Sequence, residues 1–402
     1  MIVNIEKGTA KGRVTAPPSK SMAHRNLICG ALSNGSLIKN IADSQDIIAT
    51  AECIGKLGAI ITKNKSEVKI GGFDPYNIES VSINCRESGS TLRFLLPLCL
   101  LCDKEITLYG SGRLLERPMT VYEKLCKEKG IYFYQDGNCI KVKGKLSGGI
   151  YTVDSTVSSQ FISGLLFALP LLKEDSVIKL TGMLQSESYL RMTLSTLEDF
   201  GIEFDATDIN NIKIKGNQKY IARELTVEGD FSNSAFLHAF NLFGGEVTVN
   251  GLLKNSLQGD KVYLELFEKL NEGNPTISLA DCPDLGPILF CVAAAKNGAV
   301  FTDTARLRIK ESDRVACMVK ELSKFGVKTE ISDNSVKIFK GGLNKPIDVL
   351  YSHNDHRIAM SLSVLLSLTG GRIEDAQAVN KSFPEFFELL SDLGIKVKIS
   401  EA

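Results

Sequence analysis

The feature of this 402-residue chain that most restricts its fold is a unit that returns six times. Each copy reads as a short strand, a turn, a helix closed by glycine, and a further strand. The first three are "GSLIKNIADSQDIIATAECIGKLGAIIT", "KEITLYGSGRLLERPMTVYEKLCKEKGIYF" and "SVIKLTGMLQSESYLRMTLSTLEDFGIEF". The others are "GEVTVNGLLKNSLQGDKVYLELFEKLNEG", "GAVFTDTARLRIKESDRVACMVKELSKFGVKTE" and "GGRIEDAQAVNKSFPEFFELLSDLGIKVKI". The closing glycines (Gly58, Gly130, Gly201, Gly273, Gly326 and Gly394) mostly lie about 70 residues apart, well beyond a solenoid period. Glycine there is expected to take the left-handed conformation that ends a helix, because no Cβ opposes it.

Between the copies stand helical segments of another kind: "GSTLRFLLPLCLL", "SSQFISGLLFALPLL", "NSAFLHAFNLF", "PDLGPILFCVAAAK" and "HRIAMSLSVLLSL". They are apolar nearly all round, which marks helices enclosed in a core. Each begins with small polar or charged residues. The arrangement predicts a large α/β protein with amphipathic outer helices and buried inner ones whose polar N-termini gather together. A related segment opens the chain, "APPSKSMAHRNLICGAL". Pro17 and Pro18 favour an extended approach. Either Ser19 or Ser21 could cap the helix that follows, in which Leu27, Ile28, Ala31 and Leu32 share one face. Lys20 then stands where free amides and the helix dipole already favour an anion, with Arg25 just over a turn further on.

The 47 basic residues balance 47 acidic ones, which argues against a general nucleic-acid binder. The start, "MIVNIEKGTAKG", has no apolar stretch of signal-peptide length, and "FISGLLFALPLL" is too short to cross a bilayer. Ten cysteines are scattered through apolar surroundings, as in a reducing cytoplasm. Cys99 and Cys102 have redox-motif spacing, but both are expected as core positions on a helix. Ser-x-x-Lys at Ser36, Ser66 and Ser176 occurs at the frequency of noise, and no Gly-Lys-Ser/Thr marks a phosphate loop. His353 and His356 flank Asp355 without other histidines near in sequence, so no metal site is expected.

On eight ordered motifs the chain resembles the enolpyruvyl transferases, and among them the branch that acts on shikimate 3-phosphate. They are "PPSKSMAHR", "ESGSTLR", "ERPM", "SSQF", "PDLGP", "RLRIKESDR", "NDHRIAM" and "KSFPEF", spread over nearly the full length. The resemblance implies two similar domains, each of three βαβαββ repeats with buried parallel helices, an inside-out α/β barrel. Residues 19–229 would form one domain and residues 1–18 with 230–402 the other, closing over an active site in the interdomain cleft. The implied reaction joins phosphoenolpyruvate to the 5-hydroxyl of shikimate 3-phosphate and releases phosphate, by addition and then elimination. It implies no metal or cofactor, no nucleic-acid or membrane partner, and a cytoplasmic monomer.

Both implied ligands carry a phosphate and a carboxylate, which explains a demand for arginine forks and helix N-termini. By resemblance Lys20, Ser21 and Arg25 contact the substrates, Lys20 bridging the two anions. Ser158, Ser159 and Gln160 match residues that hold shikimate 3-phosphate, and Ser186 and Tyr189 extend that surface. Lys310 and Asp284 match contacts to the shikimate half. Gly89, Arg117, Glu311, Arg314, Arg357 and Lys381 match the phosphoenolpyruvate side, which Lys20 and Gln160 share. Asp284 and Glu311 match the carboxylates that exchange protons with the attacking hydroxyl and the enol carbon. Lys310 and Arg314, four apart, are expected on one helical face with Glu311 beside them. His356 opens a buried helix, where it could assist proton transfer or merely hydrogen-bond.

The chain departs from relatives at Glu87-Ser88-Gly89-Ser90, where Asn-Ala-Gly-Thr is common, at Phe94, where some have proline, and at Arg306, where a substrate-contacting asparagine stands. A carboxylate at Glu87 should weaken the anion site unless it turns away or pairs with Arg86 or Arg93. Two rival readings remain. The transferase acting on UDP-N-acetylglucosamine typically has a loop cysteine that "YGSGRLLERPM" lacks. A non-catalytic sensor of phosphorylated metabolites would gain nothing from carboxylates in a cationic cleft.

Overall fold

Two kinds of helix alternate along the chain. In the computed structural model, which describes residues 1–401, the helices are α1 (Lys20–Leu32), α2 (Gln45–Lys56), α3 (Gly89–Cys99), α4 (Thr120–Glu128), α5 (Ser159–Ala168), α6 (Glu187–Asp199), α7 (Phe231–Ala239), α8 (Tyr263–Glu272), α9 (Gly286–Ala295), α10 (Arg314–Lys324), α11 (His356–Thr369) and α12 (Phe386–Asp392). The odd-numbered helices are enclosed on nearly every side, and the even-numbered ones bury a single face. Helix α1 is buried continuously from Ala23 to Ala31, His24 and Arg25 included, so the one-sided face expected for it understates its enclosure. No described helix is long and apolar enough to cross a membrane.

The chain forms two compact units, residues 18–228 and residues 1–17 with 229–402. Within the first, three four-stranded sheets share one plan. Ser36–Lys39 pairs in parallel with Glu224–Thr226 and antiparallel with Glu67–Gly71, whose hairpin mate is Ile60–Asn64. Val81–Asn84 with Ile106–Tyr109, and Gly149–Asp154 with Ser176–Thr181, repeat the parallel pair. Ser36 and Ile38 point into the core while Leu37 and Lys39 lean outward, the alternation a half-covered sheet imposes. Buried polar threads cross this core. His24 Nδ1 meets Thr50 Oγ1 at 2.7 Å, and Thr50 meets Thr91 at 2.7 Å, tying α1, α2 and α3. Gly164 lets α5 approach α3: a Cβ there would collide with the Arg93 carbonyl oxygen and the Tyr122 hydroxyl.

The second unit has two sheets on the same plan and one cut short. Lys11–Thr15 pairs in parallel with Glu246–Asn250, and no hairpin extends that pair. After α8 the chain runs directly into Thr276–Ser278 of the next sheet. The missing hairpin accounts for two departures from the expected pattern. The interval from Gly273 to Gly326 is shorter than the others. Gly273 also leaves α8 with φ −167°, an extended conformation, whereas Gly58, Gly130, Gly201, Gly326 and Gly394 all have positive φ. A left-handed turn is needed to fold a hairpin back over its helix, and here there is none to fold. Another sheet is completed by the N-terminus: Ile2–Ile5 lies between Gly371–Glu374 and Val397–Ser400, antiparallel to both.

Nine cysteines are buried, Cys317 is partly exposed, and none of the ten is in a disulfide. Cys99 is the last residue of α3, and Cys102 lies beyond the helix end, contrary to the helical placement expected for it. Both are 1% exposed core thiols.

Candidate active site

In the 18–228 unit the ends of α1, α3, α5 and α6 carry the polar groups. Ser19, not Ser21, caps α1: the Met22 N–H donates to its Oγ at 3.5 Å. Lys20 is the first helical residue, and its ammonium lies 2.6 Å from Asp46 in the first turn of α2. Asp46 was not singled out from the sequence, where "DSQDIIAT" reads as an ordinary acidic helix start. Arg25 is 2% exposed and held by neutral oxygens. Its Nε donates to Thr193 Oγ1 (2.9 Å) and its terminal nitrogens to the carbonyls of Ser21 (2.7 Å) and Tyr189 (2.8 Å). Burial lowers its pKa to about 10, and the Phe94 ring lies under the guanidinium at 5.2 Å. Phe94 is thus part of the support of Arg25.

Ser88 caps α3 by accepting from Thr91 N–H at 3.2 Å, which leaves Gly89 at the helix mouth. A Cβ on Gly89 would come within 2.8 Å of the Arg117 guanidinium, so the missing side chain is what lets Arg117 lie across that end. Arg117 Nε is buried without a hydrogen-bond partner among the described residues. Ser158 caps α5, accepting from Gln160 N–H at 3.3 Å, with Ser159 in the first turn. Gln160 accepts from Arg93 (2.7 Å) and donates to Ser90 (3.0 Å), and Arg93 also donates to the Pro118 carbonyl (3.2 Å). Gln160 thereby links the mouths of α3 and α5. Arg93, a partner unassigned from sequence, is the means. Ser186 sits at φ +58° before α6, and Tyr189 in that helix contributes its carbonyl to Arg25. Arg86 forks onto Glu52 at 2.8 and 2.9 Å, while Glu87 leans against Gly112, where a Cβ would strike its carboxylate.

The other unit concentrates charge. Asp284 stands in the turn Pro283–Leu285 that leads into α9. One oxygen accepts from Arg314 (2.8 Å) and lies 3.3 Å from Lys310 Nζ, and the other accepts from Arg357 (3.1 Å). Burial raises the carboxyl's pKa, but Arg357, Lys310 and Arg314 together hold it well below the usual range. Burial pulls Lys310 down to about 8, against the pull of Asp284. Arg314 is fully buried and also donates to Asp355 (2.8 Å) and Glu311 (2.7 Å). Asp355 caps α11 by accepting from Arg357 N–H at 3.0 Å and receives Ser312 Oγ at 3.0 Å. His356 begins α11 and is 1% exposed. Lys381 donates to the Asn354 carbonyl at 2.5 Å, bracing the left-handed His353-Asn354 loop beside Asp355.

The helical face expected for Lys310 and Arg314 is not formed. Asp313 caps α10 through Ala316 N–H (3.0 Å), so Arg314 is its first residue and residues 310–313 are loop. The two cations meet through Asp284 instead. Arg306 lies in the preceding single-turn helix with a guanidinium nitrogen 3.5 Å from the Ala280 carbonyl oxygen. Among the described residues no group of three or more histidines, cysteines or carboxylates is placed to hold a metal.

Six related α/β repeats, with cations and caps at the mouths of enclosed helices, define the enolpyruvyl transferase class of fold. The same fold is found in two structures of EPSP synthase from Acinetobacter baumannii, each at a TM-score of 0.80. Those chains are 23% and 22% identical to this one, and the match covers 99–100% of this chain and 100% of theirs. The family model for EPSP synthase (3-phosphoshikimate 1-carboxyvinyltransferase) matches residues 5–390. The 3-phosphoshikimate 1-carboxyvinyltransferases of Clostridium beijerinckii and Clostridium kluyveri are 39% and 40% identical to it, over 98% of this chain and 97% of theirs. The chain belongs to the EPSP synthase family.

Proposed function

We propose that this protein transfers the enolpyruvyl group of phosphoenolpyruvate to the 5-hydroxyl of shikimate 3-phosphate, releasing inorganic phosphate. The supporting observation within the molecule is Asp284, an ionised carboxylate surrounded by Lys310, Arg314 and Arg357 with Glu311 on the same guanidinium. Anionic ligands compete with Asp284 for those cations, and a carboxylate relieved of its counter-charges becomes a stronger base.

In the addition, the 5-hydroxyl oxygen bonds to C2 of phosphoenolpyruvate as its proton passes to a carboxylate, and C3 receives a proton. In the elimination, C3 loses a proton and the C2–O bond to phosphate breaks. Asp284 and Glu311 take the two proton-transfer roles. Lys20, Ser21, Arg25, Ser158, Ser159, Gln160, Ser186 and Tyr189 hold shikimate 3-phosphate, together with Asp284 and Lys310. Gly89, Arg117, Arg314, Arg357 and Lys381 hold phosphoenolpyruvate with Lys20, Gln160 and Glu311, and His356 borders the reaction. The reading requires both clusters to serve one pair of ligands. Every residue it uses lies in one chain, so it needs no second copy, and its reduced thiols suit the cytoplasm.

The test is phosphate release with both substrates present, against each alone. Release that requires both, at equal yield of the enolpyruvyl ether, is expected. Release from phosphoenolpyruvate alone, or none, would overturn the reading.

A further inference from the structure

Behind Asp284 lies a carboxyl with no part in the reaction as set out above. Asp260, in the single-turn helix Gly259–Val262, is 2% exposed. One oxygen accepts from the Ser232 hydroxyl in the first turn of α7. The other is buried and has no hydrogen-bond partner among the described residues. An ionised carboxylate half-satisfied in this way is costly, and a protonated one much less so. The groups that act on it come from three directions. Asp284 and Cys282 lie around the turn into α9, Asp230 and Ser232 begin α7, and Arg357, with His356 next to it, begins α11.

Arg357 is the shared element. It donates to Asp284 and also acts on Asp260. Lys310, Arg314 and Arg357 each already meet a carboxylate, from among Asp284, Glu311 and Asp355. An ionised Asp260 would add a negative charge where an anion has to bind. Burial, with Asp284 nearby, pushes its carboxyl up to about 7 against the opposing pull of Arg357 and Ser232.

We propose that Asp260 is a positioning residue that gates anion binding at Arg357: protonated, it leaves the guanidinium's charge to an incoming phosphate or carboxylate, and ionised it competes for that charge. The inference rests on the reading that Arg357 meets phosphoenolpyruvate. It follows that binding draws a proton onto Asp260 and weakens as pH rises through neutrality.

The test is calorimetric titration with phosphoenolpyruvate from pH 6.5 to 8.5, beside ligand-free thermal midpoints from pH 4 to 8. The proteins compared are wild type, Asp260→Asn and Ser232→Ala. The ligand's own titration and that of Lys310 are common to all three, so the difference isolates Asp260. Wild-type affinity should fall about three- to tenfold more than that of Asp260→Asn over this range, with extra proton uptake on binding. Ser232→Ala removes a hydrogen bond that favours the ionised form, so its loss of affinity should move to higher pH. This variant keeps the inference testable if Asp260→Asn folds poorly. Without ligand, a carboxyl whose pKa is raised on folding costs stability as pH rises from about 4 to its folded value. The wild-type midpoint should therefore drop relative to Asp260→Asn up to about pH 7 and run parallel above it. Equal pH slopes for binding in wild type and Asp260→Asn, with an unshifted Ser232→Ala, would overturn the inference alone. No binding by any of the three, with the ligand-free curves differing as expected, would overturn the reading beneath it.

Discussion

The two units hold their cations in opposite ways. In residues 18–228, Arg25 is fixed by one hydroxyl and two carbonyl oxygens, and Arg93 by an amide and a carbonyl. Neutral partners set the direction of a guanidinium without cancelling its charge, so Arg25 keeps its attraction for an anion. In the other unit Arg314 touches Asp284, Glu311 and Asp355, and Arg357 and Lys310 share Asp284. There each of these cations already meets a carboxylate, and what an anion gains by binding it must partly take from that carboxylate. The first arrangement suits grasping a ligand, the second moving protons as the ligand arrives. Lys20 and Arg86 depart from this within the same unit, because their partners are the carboxylates of Asp46 and Glu52.

The contrast is broken most sharply at the carboxylates. Asp284→Asn and Glu311→Gln should each lower turnover by about 10²–10⁴-fold, the usual range for a positioned acid or base. Affinity for phosphoenolpyruvate should stay within about tenfold, because removing a negative charge does not harm an anion site. Steady-state kinetics beside calorimetry reads both, and near-normal turnover in either variant would remove that residue from proton transfer. Lys20→Met should behave differently, weakening affinity by about 10- to 100-fold, the scale of a lost charge-assisted hydrogen bond or two. An affinity unchanged in this variant would remove Lys20 from the binding of phosphoenolpyruvate.

The smallest effect is expected at the margin of the carboxylate-rich unit. His353 Nε2–H donates to the fully buried Glu321 carboxylate at 2.8 Å, and its pKa is raised to about 9 by hydrogen bonds to Cys317 and Glu321. A histidine held protonated on folding contributes stability that is complete below its unfolded pKa and lost as pH rises through the folded one. His353→Gln should therefore cost about 1 kcal/mol at pH 6 and almost nothing by pH 10. Thermal midpoints across that range check it, and a difference that grows with pH would refute the assignment.

Much of the scaffold was legible because periodicity is a local property. Enclosed helices such as "GPILFCVAAA" announce themselves by having no polar face, and outer ones such as "VYEKLCKE" by having one. The missing hairpin after α8 shows in the sequence as a shortened interval, and at Gly273 itself as Asn274-Pro275 where the other closing glycines are followed by Ala, Ile or Val. The resemblance placed the cations at the mouths of helices. Their partners were less accessible. Asp46, Thr193 and Asp260 act across elements far apart in sequence, each from an unremarkable local context, and Arg93, although it closes the motif "ESGSTLR", bonds to Gln160 67 residues away. Asp355 was noticed only as a neighbour of histidines, though an aspartate directly before a buried helix is the usual form of a cap. Lys310 and Arg314 were given the wrong local geometry because four-residue spacing says nothing where a cap, here Asp313, starts the helix later.

The N-terminal strand also bears on how the chain is made. Ile2–Ile5 finds its partners only in Gly371–Glu374 and Val397–Ser400, and Lys11–Thr15 pairs with Glu246–Asn250. At roughly 5–20 residues per second of synthesis, the first strand leaves the ribosome roughly 20 to 70 seconds before its sheet exists. Residues 18–228 contain all the strands of their own three sheets and can complete them in that interval. The waiting segment carries Glu6, Lys7, Lys11 and Arg13, charges that discourage an unpaired strand from joining a neighbouring nascent chain. Its late pairing makes the last thirty or so residues the step that commits the second unit to its final topology.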